Sequence, residues 1–222
     1  MKSERNRVIP TAHEYSPVRT GDRPLPSSKV LYDSRVEARI EALRARVQAV
    51  MPLSGRFVWE VGCGHGHFLT AFAANHPDLT CLGIDIVSDR IERARRKARR
   101  AKLPNLHFLI AEAGEFLEAL PLTAKFSSVY ILFPDPWPKR RHHKNRLMQS
   151  PFLNAAAEKG EPGAPLYFRT DFAPYFTQAK TAVQATHDWQ LVDETWPFET
   201  DTVFQARAST YFSLVARKRV PA

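Results

Sequence analysis

The stretch that most narrows the fold is RFVWEVGCGHGHFLTAFAANHP, residues 56–77. RFVWEV is rich in β-branched and aromatic side chains and reads as a strand, whereas FLTAFAAN reads as a helix. Between them Gly62, Gly64 and Gly66 stand in the spacing G-x-G-x-G. Glycines at such a turn let the backbone reverse tightly and come close to a ligand. Strand, glycine turn and helix in that order form the first unit of a parallel α/β sheet.

The alternation continues along the chain. TCLGIDI, LHFLIAE, FSSVYILF and PLYFRT read as further strands, separated by the helical patterns VSDRIERARRKARRAK, AGEFLEAL and RLMQSPFLNAAAEKG, the last helical in its second half. Ser88 is the expected N-cap of the basic helix. FAPYFTQAKTAVQAT supplies another helix, and WQLVDE and STYFSLVAR follow as strands with no helix between them, so they are expected to pair antiparallel at the sheet edge. Upstream, VEARIEALRARVQAV puts Val36, Ile40, Leu43, Val47 and Val50 on one face of a helix that begins at Asp33 and is ended by Pro52 and Gly55. The pattern predicts a doubly wound sheet, mostly parallel with an antiparallel C-terminal edge strand and helices on both faces. One domain is expected over residues 31–222, preceded by a proline-rich, flexible arm over residues 1–30.

The chain carries 32 Lys and Arg against 23 Asp and Glu, a net charge of +9, which favours a polyanionic partner. Two cysteines are no disulfide framework, so a reduced, cytoplasmic setting is expected. No apolar stretch is long enough to span a bilayer, and MKSERNRVIP lacks the core of a signal peptide.

After the fourth strand comes FPDPWPKRRHHKNR, residues 133–146. Pro134, Pro136 and Pro138 push the residues before them towards extended geometry, so Phe133, Asp135 and Trp137 are expected on a stiff, non-helical ribbon. Open α/β sheets bind ligands at the carboxyl ends of their strands, where this ribbon begins. Lys139, Arg141, Lys144 and Arg146 suit phosphate contacts. His142 and His143, like His65 and His67 of the glycine turn, have no partner pair at metal spacing, so no metal is expected. The basic helix from Arg90 to Lys102 reads either as a solvated face or as an extension of that basic surface.

Asp85 ends the second strand about 20 residues beyond the glycine turn, where such folds place a carboxylate that accepts hydrogen bonds from a ribose diol. Glu60, just before the turn, suits a cationic amino-acid group better than a pyrophosphate, and Glu112 ends the third strand within reach of an adenine. Three acids and the G-x-G-x-G spacing favour S-adenosylmethionine over NAD.

On the motifs EVGCGHG, GIDI, FPDPWPKRRHHKNRL and RTD the chain resembles the bacterial tRNA (guanine-N7)-methyltransferases, from about Gly55 to Arg217. The resemblance implies a Rossmann-like methyltransferase fold, S-adenosylmethionine as cofactor and tRNA as partner, in a monomer or homodimer. It places Glu60, Asp85, Glu112 and Asp135 around the cofactor, and Asp135, Lys139 and Asp171 around the guanine. Asp135 is the expected catalytic residue, as an acceptor for the base or a partner for the charge passing onto it. Asn145 stands where the family has arginine, and the family's T-x-[YF]-E segment is matched by Thr202, Val203, Phe204 and Gln205, with glutamine for glutamate. A methyltransferase of the same fold with another substrate, and a non-enzymatic RNA-binding module, are the competing readings.

Overall fold

A computed structural model describes residues 28–200 and 210–220 of the chain. Seven strands form one sheet: β1 (Arg56–Val61), β2 (Cys81–Asp85), β3 (Leu106–Ile110), β4 (Lys125–Leu132), β5 (Pro165–Thr170), β6 (Trp189–Val192) and β7 (Phe212–Lys218). Their order is β3-β2-β1-β4-β5-β7-β6. The first five pair in parallel, and β7 runs antiparallel to both β5 and β6. The antiparallel pair is therefore at the sheet edge as expected, with β6 outermost and the C-terminal strand one place inside it.

Alternation along each strand sorts the side chains into two cores. Phe57, Trp59, Leu82, Ile84, Val129, Ile131 and Phe168 face one side, which is covered by α1 (Ser28–Val50), α4 (Ala113–Ala119), α5 (Ser150–Lys159) and α6 (Ala173–Ala185). Val58, Cys81, Tyr130 and Tyr167 face the other, beneath α2 (His67–Asn75) and α3 (Ser88–Ala101). Trp59 is wholly buried and stacks on Phe116 at 5.1 Å between ring centroids. Helices thus lie on both faces, as a parallel sheet requires.

Local differences from the sequence expectation have identifiable causes. Helix α1 begins at Ser28, so residues 28–30 of the expected arm are helical; residues 1–27 lie outside the described part. Val87, not Ser88, occupies the N-cap of α3; its hydrocarbon side chain has no acceptor to cap the helix, and the Asp85 carboxylate accepts from the Val87 N–H at 2.8 Å. Cys63 and Cys81 are both free and buried. No helix among the described residues is long and apolar enough to cross a membrane.

Candidate active site

The sheet order reverses between β1 and β4, and the crevice at that point is where open α/β sheets hold ligands. The carboxyl ends of β3, β2, β1, β4 and β5 bring Glu112, Asp85, the glycine turn, Asp135 and Asp171 into one row along this edge. Residues spread over more than 100 positions of sequence are aligned by strand order alone.

All three glycines of the turn have positive φ: 72° at Gly62, 54° at Gly64 and 67° at Gly66. Their surroundings differ. A Cβ on Gly62 or Gly64 would meet nothing within 4 Å, whereas one on Gly66 would come within 2.5 Å of the Phe108 ring and 2.9 Å of Ala94. Gly66 lets the helix approach the sheet, and the first two leave open space along the turn.

Asp85 is buried, and its two oxygens accept from the backbone N–H of Gly64 at 3.0 Å and of Val87 at 2.8 Å. A carboxylate has about four acceptor positions, so each oxygen keeps capacity for a ligand hydroxyl. Arg90 approaches the same carboxylate at 3.6 Å. Glu112 is exposed at the N-cap of α4 and makes no side-chain cap bond there.

Glu60 lies deeper than a pocket-lining acid would. It is 3 % exposed, and its Oε2 has no hydrogen-bond partner among the described residues. Burial pushes its pKa up to about 8; a backbone bond from Leu69 at the start of α2 pulls it down, Asp85 pushes it up and the Lys97 ammonium pulls it down. A buried acid with an idle oxygen beneath the turn is matched to a cation. The open glycines, the spare acceptors of Asp85 and the idle oxygen of Glu60 all fit an adenosine ligand bearing an ammonium group.

On the other side of the crevice, residues 134–138 form the expected non-helical ribbon, and Arg140–Asn145 curl into a short 3-10 turn. Two residues of the ribbon are not extended. Phe133 has φ 49° and Trp137 φ 43°, both left-handed. A following proline disfavours the right-handed helical region but leaves the choice among the rest to the surroundings. Here tertiary bonds make that choice: the Phe133 N–H donates to the Arg169 carbonyl at 2.8 Å, and the Trp137 carbonyl accepts from Arg146 at 3.3 Å. Non-glycine residues held at positive φ mark strain that the surrounding structure must sustain.

Arg146, expected at a phosphate, sustains it at the Trp137 end. It is 4 % exposed and donates to the carbonyls of Pro136 at 2.8 Å and Trp137 at 3.3 Å, while its remaining terminal nitrogen donates to Gln178. Its guanidinium lies over the Tyr175 ring at 5.0 Å, and Tyr175 in turn accepts from the Met148 N–H at 3.0 Å. Arg146 is an internal brace, so the phosphate role expected for it is corrected. Asp135, between the braced residues, is exposed, as are Lys139, Arg141 and Lys144. His142 is half-buried, with Trp137 edge-on to it at 5.7 Å.

A second buried arginine was not singled out from the sequence. Arg169, two residues before the exposed Asp171, forms a double hydrogen bond to Glu199 at 2.8 and 2.9 Å. Its guanidinium sits 4.0 Å from the Trp196 ring and 4.5 Å from that of Tyr211. Thr202 and Gln205 lie outside the described residues. Among the described residues no group of His, Cys, Asp and Glu side chains is arranged to hold a metal ion.

Comparison with known proteins gives concordant results. Residues 54–218 match a family model described as "Putative methyltransferase". A tRNA (guanine-N(7)-)-methyltransferase of Treponema pallidum subsp. pallidum is 33% identical over 172 residues, covering 76% of this chain and 69% of the relative. One from Syntrophotalea carbinolica is 38% identical over 118 residues, covering 53% of this chain and 51% of the relative. The chain thus spans between half and about two thirds of the length of these curated relatives. Among solved structures, a 16S rRNA (adenine(1408)-N(1))-methyltransferase from Catenulisporales acidiphilia, crystallised with cosubstrate SAM, superposes with TM-score 0.55 at 20% identity, covering 82% of this chain and 92% of that one. That likeness establishes the methyltransferase fold.

Proposed function

We propose, on the premise that this chain belongs to the tRNA (guanine-N7)-methyltransferase family, that it transfers a methyl group from S-adenosylmethionine to N7 of a guanine in tRNA in the cytoplasm. The observation that carries the reading is the exposed Asp135, held on a braced ribbon one strand across from the glycine turn. S-adenosylmethionine, when bound, supplies an electrophilic methyl group on a sulfonium. Asp85 would accept from the ribose hydroxyls, Glu112 would reach the adenine, and Glu60 with the turn would receive the cationic amino-acid end.

Guanine N7 carries an in-plane lone pair, so its attack needs no deprotonation and the protein's task is mainly placement. Asp135 would accept from the base N1–H and amino group, and its charge would offset the positive charge that builds on the ring. Asp171 and Lys139 would bound the base from β5 and from the far end of the ribbon. Lys139, Arg141, His142 and Lys144 face solvent wholly or in part on one basic edge, suited to the phosphates around the target nucleotide. Arg146 acts behind them, through the ribbon.

Incubation with labelled S-adenosylmethionine and bulk unmodified tRNA, followed by strand cleavage specific for N7-methylguanosine, tests the reading. Labelled cleavage products at a guanine are expected. Label in RNA without N7-methylguanosine overturns the position of transfer, and label confined to non-RNA substrates overturns the tRNA assignment.

A further inference from the structure

We propose that a second tRNA backbone site lies in the groove between the glycine turn and the outer face of α3, on the flank of the crevice opposite Lys139–Lys144; it rests on the tRNA reading above. The groove has a volume of about 670 Å³ and its lining includes His65 from the turn, His67 at the start of α2, and Arg93, Arg96, Lys97 and Arg100 from α3. No acidic side chain lines it.

Most of these charges are not neutralised within the protein. Arg93 pairs with Asp89 at 3.0 Å, but Arg96 and Arg100 form no ion pair among the described residues. The Lys97 Nζ is buried without a hydrogen-bond partner among them. Burial, Arg100 and, in the opposite sense, Glu60 act on that ammonium, with a net downward shift of its pKa. Burial, Lys97 and His65 likewise depress His67. Burial is the larger cause of both shifts and the neighbouring cations add to it, so an arriving phosphate relieves both.

The spacing selects the kind of anion. Positions 93, 96, 97 and 100 share one helix face and extend along about 10 Å of axis. A row of that length matches successive phosphates rather than a single small anion. Position supports the same partner. β2, which leads into α3, and β4, which leads into the exposed basic edge, lie on either side of β1. Their carboxyl ends are therefore about 10 Å apart across the crevice, and an RNA strand entering the site from one basic surface can leave over the other.

The test is the salt dependence of binding to an unmodified tRNA transcript, measured by fluorescence anisotropy. Arg96→Glu with Arg100→Glu is expected to weaken binding at least about tenfold at low salt and to flatten the slope of log affinity against log salt by about 2. Lys180→Glu, an equally exposed charge reversal on α6, is expected to leave the slope unchanged. Calorimetric affinity for S-adenosylmethionine reports whether the glycine turn is intact; if the double reversal disturbs it, the neutral pair Arg96→Gln and Arg100→Gln decides, with the same flattening expected. A normal slope in the variants while the wild type binds tRNA overturns the groove alone. A wild type that does not bind tRNA overturns the groove and the tRNA reading together.

Discussion

The two halves of the crevice achieve rigidity by different means. The half at β1, β2 and β3 is built from backbone: three glycines with positive φ make the turn, and Asp85 ties β2 to it through the N–H groups of Gly64 and Val87. The half at β4 and β5 is built from buried side chains, with Arg146 holding the ribbon and Arg169, its guanidinium near two aromatic rings, holding Glu199. In the first half the carboxylate of Asp85 is itself part of the scaffold. In the second, Asp135 and Asp171 stand exposed on a scaffold made by others. A cofactor of constant shape suits the former, and a nucleotide that must be presented by a large RNA suits the latter.

If that division is right, removing Asp135 should abolish chemistry without harming cofactor binding. Asp135→Ala is expected to lower the rate of methyl transfer by about 100- to 1000-fold. Its affinity for S-adenosylmethionine, measured by calorimetry, should fall by less than about tenfold. Near-normal turnover would remove Asp135 from the mechanism, and a cofactor affinity that collapses along with the rate would erase the distinction between the halves.

The brace is tested next. Arg146→Met deprives two carbonyls and Gln178 of their donor, at an expected cost of about 2–4 kcal/mol in stability and a fall of about 5–15 °C in Tm. Transfer should fall more than cofactor affinity does, because the damage is confined to the ribbon. Arg146→Lys, which keeps the charge without the fork, should recover only part of the loss. An Arg146→Met protein of normal Tm whose tRNA binding loses salt dependence would return Arg146 to the phosphates.

The halves also differed in how plainly they could be read from the sequence. The glycine turn and Asp85 are local features whose spacing has one physical meaning, and strand and helix periodicity was enough to place them. Nothing local distinguishes Arg146 within KRRHHKNR. Its burial is decided by Tyr175 and Gln178 on α6, and no periodicity couples them to it. Arg169 reads as one more residue of a strand until Glu199, thirty positions later, is folded over it. The left-handed turns at Phe133 and Trp137 escaped for a related reason: proline excludes one backbone region, and long-range hydrogen bonds choose among the others. Likewise the hydrophobic pattern marks β6 and β7 as strands but carries no record that β7 inserts between β5 and β6.

Within the backbone-built half, the glycines separate packing from ligand access. Gly66→Ala drives a Cβ into Phe108 at positive φ and is expected to cost about 2–3 kcal/mol. Gly64→Ala meets open space and should cost only about 1 kcal/mol from its backbone angle. Its larger effect should be on cofactor affinity, expected to fall about tenfold or more because the new methyl occupies the face the ligand approaches. Equal losses of stability in the two variants would mean that the turn is a packing motif throughout.

The last expected effect concerns Glu60, and it depends on pH. With the folded pKa raised by burial to about 8, above the unfolded value of 4.5, the native protein holds a proton that the unfolded chain has released. Stability therefore falls as pH rises from 4.5 towards 8 and levels off above that range. Glu60→Gln should remove this decline, so that the ligand-free variant melts several degrees above the wild type at about pH 8 and close to it at about pH 5. The same proton makes cofactor binding measurable by its heat. A ligand ammonium placed at the idle Oε2 favours the carboxylate, so S-adenosylmethionine binding at about pH 7 should release close to one proton. That release appears as a calorimetric enthalpy that varies with the ionisation heat of the buffer, and Glu60→Gln should abolish the variation. Buffer-independent heat in the wild type would show that Glu60 supports the turn from beneath and leaves the amino group to other acceptors.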